Sequence, residues 1–183
     1  MRRTGALQRD RYAGCVKLAV GTVVAYPPHG VGRIASRERR VVLGVEQEVV
    51  VLELADGLSV TLPVQRARAL LRPLASEAEL RRIQETLRED GALSEEAWSA
   101  RLKLLQEQLR RGDPLELAAI VRDGARRDRA PTADGGHSKL STSERALCVK
   151  ARELLSGEIG LARGLAQAEA NAWIDDQLAP LGG

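Results

Sequence analysis

Few side chains in this sequence could do covalent chemistry, and their spacing pairs almost none of them. There are two histidines, His29 and His137, and two cysteines, Cys15 and Cys148. Neither cysteine forms a CxxC pair or has a nearby histidine, so no zinc site is expected and nothing suggests a disulfide framework. His29 stands in a Pro27-Pro28-His29-Gly30 corner, where bonding the turn backbone accounts for it. His137 lies in a Gly-rich loop with no partner by spacing. No GxSxG, P-loop or GxGxxG is present, and Gly30-Val31-Gly32 is too short to cradle a phosphate. The acidic residues fall in helix first turns and on polar faces, where capping and solubility explain them. An enzyme is therefore not expected, His29 being its only support, and no metal or cofactor is called for.

Non-covalent chemistry is better represented. Trp98 is followed at once by Arg101 and Lys103 in the stretch AWSARLK. An aromatic ring flanked by cations is what a nucleic-acid wedge requires: the ring stacks on or pries apart a base step while the cations hold phosphates. The competing reading is core, because Trp98 lies at helical spacing with Leu102 and Leu105, and spacing alone favours it. Position in a first turn, where a side chain can lean off the domain, favours the wedge. Trp173, between Ala172 and Ile174, reads as core. Arg122, Arg126, Arg127 and Arg129 end a helix, where cations gain ~0.3–1 kcal/mol from the dipole; the alternative is a phosphate rail continuing the Trp98 surface. Arg145, in the next helix, is open to either use.

The elements that must position these residues divide the chain in two. Its 183 residues suffice for one ordinary domain or two small ones. Apolar residues make up 44% and charged residues 29%, as in a globular protein, but aromatics are only 2% with no Phe, so aliphatic side chains must fill the core. Residues 1–73 carry 12 Lys and Arg against 6 Asp and Glu, whereas residues 74–183 carry 16 against 19. Residues 1–17 read as a basic, disordered tail that could also screen phosphates. Neither a membrane-length apolar run nor a signal-peptide core is visible, which points to the cytoplasm.

From Leu18 to Pro73 the pattern is strands: Thr22 to Tyr26, Arg33 to Val42, Glu48 to Leu54, and Leu58 to Leu62 after an Asp56-Gly57 hairpin signal. Gly30 and Gly32 can give the corner positive φ or close approach. Short strands without a helix imply a small Tudor- or SH3-like open β-barrel, usually a docking module. After Pro73 the punctuation becomes helix caps: Ser76 with Glu79, Ser94 with Glu95 and Glu96, Asp113-Pro114 with Glu116, and Ser141 with Glu144. A fifth helix spans Ala166 to Leu178, and residues 130–140 form a turn-rich loop. The expected fold is α+β: the barrel over 18–73, then an all-helical domain of about five helices over 74–183.

VGTVVAYPPHGVGRI, VVVLEL, Pro63 closing the hairpin, AWSARLK, GDPLELAAIVRD and ERALCVKARELLSGEIGLA together resemble the CarD family of bacterial transcription regulators, from about Leu18 to Leu178. The barrel motif alone is shared with transcription-repair coupling factors. The resemblance implies a Tudor-like module that pairs an edge strand with the RNA polymerase beta subunit. It also implies a helical domain whose Trp wedges into the minor groove at the upstream edge of the transcription bubble, stabilising the open promoter complex. Carried over, Trp98 matches the wedge, and Arg101, Lys103 and Arg145 match DNA-contacting positions. Arg40 matches a polymerase-contacting arginine, with Arg39 the adjacent register. A second polymerase-contacting arginine falls on Thr61, a basic position after the Trp falls on Ala100, and the 130–140 loop is longer than usual. The implied protein is a monomer, associated with the nucleoid through polymerase. It would act at many promoters without strong sequence preference, because no base-reading groups are evident. The alternative is an adaptor of the same fold that binds polymerase or another protein without touching DNA.

Overall fold

The computed structural model describes residues 16–27, 29–42, 44–90, 97–129 and 140–178, the side chain of Val42 excepted. The chain divides between Leu74 and Ala75 into two compact units. In the first, β1 (Val23–Tyr26), β2 (Gly30–Val42), β3 (Val45–Leu54) and β4 (Ser59–Pro63) form an antiparallel sheet in the order β1-β2-β3-β4. It is the curled, Tudor-like half-barrel the strand pattern implies. The β1–β2 corner uses its glycines in two ways. Gly30 takes a φ of +96°, open to glycine at little cost. Gly32 allows close approach: a Cβ there would stand 2.7 Å from the Glu53 carbonyl oxygen and 3.0 Å from a Leu54 methyl. At the β3–β4 hairpin, Asp56 Oδ1 accepts the Leu58 N–H at 3.0 Å and Gly57 has φ +85°.

Gly32→Ala should therefore destabilise this unit by ~1–3 kcal/mol, the usual cost of overpacking, because the crowding atom is a backbone carbonyl and cannot swing away. Urea unfolding of the β unit should show a lower midpoint at nearly unchanged slope.

One expectation fails here. The segment up to Pro73 contains a helix, α1 (Val64–Leu70), directly after β4. Val64 and Ala67, with Leu71 just beyond the helix, give an apolar stripe that closes the sheet's core over Val24, Ile34, Val50, Leu52 and Leu62. At seven residues α1 is shorter than the stretch over which a helical period shows in sequence. Beyond α1, Arg72 exchanges backbone hydrogen bonds with Ala25 at 2.9 and 3.1 Å, covering part of the outer edge of β1. Val16 also packs against this core, so the end of the expected tail belongs to the unit; residues 1–15 lie outside the described residues.

Among the described residues the second unit holds five helices: α2 (Glu77–Arg88), α3 (Trp98–Arg111), α4 (Pro114–Arg129), α5 (Thr142–Arg163) and α6 (Gln167–Leu178). Ser76 with Glu79 and Ser141 with Glu144 form complete capping boxes. Asp113 Oδ1 accepts the Leu115 N–H at 2.9 Å at the start of α4, and Gly112, left-handed at φ +59°, ends α3. The core joins Leu80, Ile83 and Leu87 to Leu117, Ile120, Leu155, Ile159 and Ile174. Trp173 packs at the edge of this core, with the Arg163 guanidinium 4.6 Å over its ring, so it is half-buried where full burial was expected. Ser94, Glu95 and Glu96, and the loop as far as residue 139, lie outside the described residues. Among the described residues, no helix is long and apolar enough to cross a membrane.

Candidate nucleic-acid interface and docking edge

Trp98 is the first residue of α3 and 49% exposed, which overturns the spacing-based core reading. Its stripe does run into the core, through half-buried Leu105 to buried Leu109. The stripe's first position, however, overhangs the end of the helix, where the start of α5 lies beside it. There the indole Nε1 donates to Ser141 Oγ at 2.9 Å. One turn on, Arg101 Nε donates to Glu144 Oε1 at 3.1 Å. Ala97, the N-cap of α3, makes no side-chain capping bond, so α3 begins on the capping box of α5.

That box is fully used. Ser141 Oγ donates to Glu144 Oε2 at 2.8 Å, accepts the Glu144 N–H at 3.2 Å and accepts the indole, filling the hydroxyl's one donor and two acceptor sites. Glu144 is only 1% exposed. Burial alone would push its carboxyl up, but the Ser141 backbone N–H and hydroxyl and the Arg101 guanidinium hold it below its ordinary 4.5. A lowered folded-state value means that the carboxylate's stabilisation is fully present above pH 4.5 and lost as pH falls through that lower value. Glu144→Gln should accordingly lower the melting temperature of the helical unit at neutral pH, with the gap to wild type closing as the pH falls below 4.5 and through the lowered value. Thermal melts from neutral to acid pH check this.

The other expected DNA contacts differ in their freedom. Lys103 is exposed. Arg145 is exposed and paired with Asp128 at 2.9 Å; such a surface pair is worth ~0–1 kcal/mol and is readily exchanged for a phosphate. Arg101 is 19% exposed and turned inward to Glu144. Three of the four α4 arginines suggested as a rail are committed to structure. Arg122 bonds Glu89 at 2.7 Å and the Thr86 carbonyl at 3.2 Å, Arg126 bonds Asp90 at 2.6 Å, and Arg129 reaches the Leu178 carbonyl at 3.0 Å. These bonds tie α4 to the end of α2 and to α6.

In the β unit, β1 pairs only with Gly30–Arg33, so the rest of β2 has no strand partner on that side among the described residues. Register sorts the candidates by face, with Arg39 and Arg40 on this edge strand and Thr61 on β4 at the sheet's opposite edge. Arg40 lies opposite Gln47, and Thr61 lies opposite Val51, which pairs on its other side with Ser36. Because successive side chains alternate, Arg40 and Thr61 share one face. Arg39, opposite Glu48, is on the other, where Arg37 grips Glu48 with two bonds of 2.6 and 2.8 Å. Arg40 itself is exposed and bonds Glu38 at 2.7 Å. Thr61 is exposed too.

Of the residues considered for covalent chemistry, His29 and Cys148 lie among the described residues, and their surroundings account for them otherwise. The His29 ring stacks on Tyr26 with centroids 4.8 Å apart, while its backbone N–H donates to the Tyr26 carbonyl at 2.7 Å. The structural role therefore stands, though the ring packs where backbone bonding was expected. Cys15 and His137 lie outside the described residues. Cys148 faces a small cavity of about 110 Å³ between α3, α4 and α5, and burial pushes its thiol up to about 11. It is protonated at neutral pH and a poor nucleophile. Among the described residues, no group of three His, Cys, Asp or Glu could hold a metal ion.

Sequence reasoning missed Ser141, Glu144 and Asp128 as partners of the basic and aromatic set. The capping box was visible, but its second use depends on a contact 43 residues away in sequence.

Comparison with known proteins matches both units. Residues 82–175 fit the family profile of the CarD C-terminal domain, and residues 18–75 fit that of the CarD-like/TRCF RID domain. A Bacillus subtilis (strain 168) protein named "Putative transcription factor YdeB" is 22% identical over 156 residues, covering 84% of this chain and 97% of that protein. A solution NMR structure of the N-terminal domain of Myxococcus xanthus CarD is 34% identical and covers 33% of this chain and 83% of that one. The TM-score of that match is 0.28. Both units match in chain order, and the C-terminal profile alone spans half the sequence: the chain belongs to the CarD family and is a transcription-associated regulator.

Proposed function

We propose that this protein is held on RNA polymerase by its β unit and stabilises the open promoter complex by wedging Trp98 into the minor groove at the upstream edge of the bubble. The polymerase contact is assigned to the beta subunit, along the unpaired stretch of β2, with Arg40 on that strand, Thr61 on the same face of the sheet two strands away in β4, and Arg39 turned from it. The match of residues 18–75 to the RID domain supports an RNA polymerase partner. The DNA contact is assigned to Trp98, with Lys103 and Arg145 available to phosphates. The observation that carries the reading is the half-exposed ring of Trp98 at the head of α3, held at its edge by Ser141, with exposed cations at Lys103 and Arg145. The test is open-complex lifetime on a linear promoter after Trp98→Ala, and an unchanged lifetime contradicts the wedge.

A second reading, an adaptor that binds polymerase or another protein without touching DNA, draws on the pairing of Arg101 with Glu144 and of Arg145 with Asp128. Those pairs leave less free positive charge than a phosphate-binding surface usually carries. On that reading Trp98 emission does not change when forked DNA is added.

A further inference from the structure

We infer that Ser141 and Glu144 are positioning residues for Trp98, and that Arg101 belongs to this clamp and does not contact DNA phosphate. The inference rests on the wedge reading of Trp98 and deepens it by naming what aims the ring. A tryptophan in a helix first turn has two side-chain torsions to fix and, half-exposed, few packing neighbours to fix them. Ordering such a side chain at the moment of binding costs affinity, and rigidity beforehand avoids that cost. Here the ring is fixed at its far end by the Nε1–Ser141 bond, while about half of the residue stays open to solvent. The backbone that carries the ring is fixed one turn on by Arg101 and Glu144.

The burial pattern separates the roles. Arg101 points to a carboxylate that is 1% exposed and is itself mostly covered, a poor position from which to meet a phosphate. Lys103 and Arg145 face solvent. Within the stretch Trp98-Arg101-Lys103, one cation is thus committed to geometry and the other is available to DNA. The helix that supplies the clamp starts with Ser141 at its N-cap and Glu144 in its first turn, so α5 cannot fray at that end without releasing the ring.

Two substitutions isolate this role. Ser141→Gly removes the hydroxyl but leaves a residue that helix N-caps tolerate well. Trp98→Phe keeps an aromatic ring and removes the indole N–H. Open-complex lifetime is measured on polymerase with the full chain, for each variant and for the double variant. Ser141→Gly should shorten the lifetime about threefold, roughly half a decade of the stacking contribution, when Trp98 is present. In the Trp98→Phe background it should leave the lifetime unchanged. An equal effect in both backgrounds, or none in either, overturns the positioning role. The indole N–H exchange rate of Trp98, read by NMR in the free protein, should rise in Ser141→Gly; an unchanged rate also overturns it.

For Arg101 the readout is salt. Arg101→Gln keeps a donor for Glu144 and removes the charge. The slope of log affinity for forked DNA against log salt should stay as in wild type, whereas Lys103→Ala should flatten it by about 0.7–0.9, the loss of one phosphate contact. A drop of that size for Arg101→Gln overturns its assignment to the clamp. Failure of the wedge shows differently: Trp98→Ala then leaves the lifetime unchanged. If Trp98→Ala shortens the lifetime and Ser141→Gly does not, the clamp alone is wrong.

Discussion

Trp98→Ala is expected to shorten the lifetime of the open promoter complex by about tenfold, within a range of roughly 5- to 150-fold, while leaving polymerase affinity unchanged. The range follows from the ~1–3 kcal/mol that an aromatic ring contributes on stacking against a base, at ~1.36 kcal/mol per factor of ten. The fold itself should survive the change. Trp98 is half-exposed, and the core of its unit is built from Leu80, Ile83, Leu155, Ile159 and Ile174 without it. The indole's bond to Ser141 is lost, but Ser141 keeps its capping contacts to Glu144. Melting temperature should therefore change little as the lifetime falls. A large loss of melting temperature would place the ring in the core after all.

The second large effect concerns docking. Arg40→Glu should weaken binding to polymerase by about tenfold or more, whereas Arg39→Glu should change it much less. The difference comes from sheet register: Arg40 shares a face with Thr61, and Arg39 points to the side where Arg37 and Glu48 are paired. Charge reversal adds repulsion where attraction stood, and exposed charges act mostly on association rate and salt dependence. Reversal at position 40 also sets a new carboxylate near Glu38, the present partner of Arg40. Thr61→Arg supplies a second cation on the same face and should strengthen binding. Pull-down or surface-binding measurements with native polymerase check the series. Equal losses at positions 39 and 40 would contradict the assigned face.

What could be read in the sequence was what local rules decide. Asp56-Gly57 announced its hairpin because the turn needs an Asx side chain and a residue at positive φ, and both are adjacent in the chain. Ser76 with Glu79 and Ser141 with Glu144 announced their helices for the same reason. The site was less legible because its bonds are long-range. Periodicity placed Trp98 on a core stripe correctly but could not tell that the stripe's first position overhangs the domain. Arg101 and Arg145 looked alike as cations. Only packing separates an arginine held against buried Glu144 from one resting on exposed Asp128. The α4 arginines likewise gave no sign that Glu89, Asp90 and the Leu178 carbonyl would take them. In the β unit α1 was hidden because, at seven residues with only Val64 and Ala67 buried, it is too short for a helical period to stand out.

The wedge is tested most directly by the emission of Trp98 itself. With Trp173→Phe removing the other indole and position 98 supplied as 7-azatryptophan, whose emission stands apart from that of polymerase's own tryptophans, the ring at position 98 is read alone and starts half-exposed to water. When polymerase and a forked promoter duplex are added together, its emission should be strongly quenched by base stacking, with no such change for polymerase alone. Emission that stays the same in the presence of the fork would contradict the wedge and leave the adaptor reading in its place.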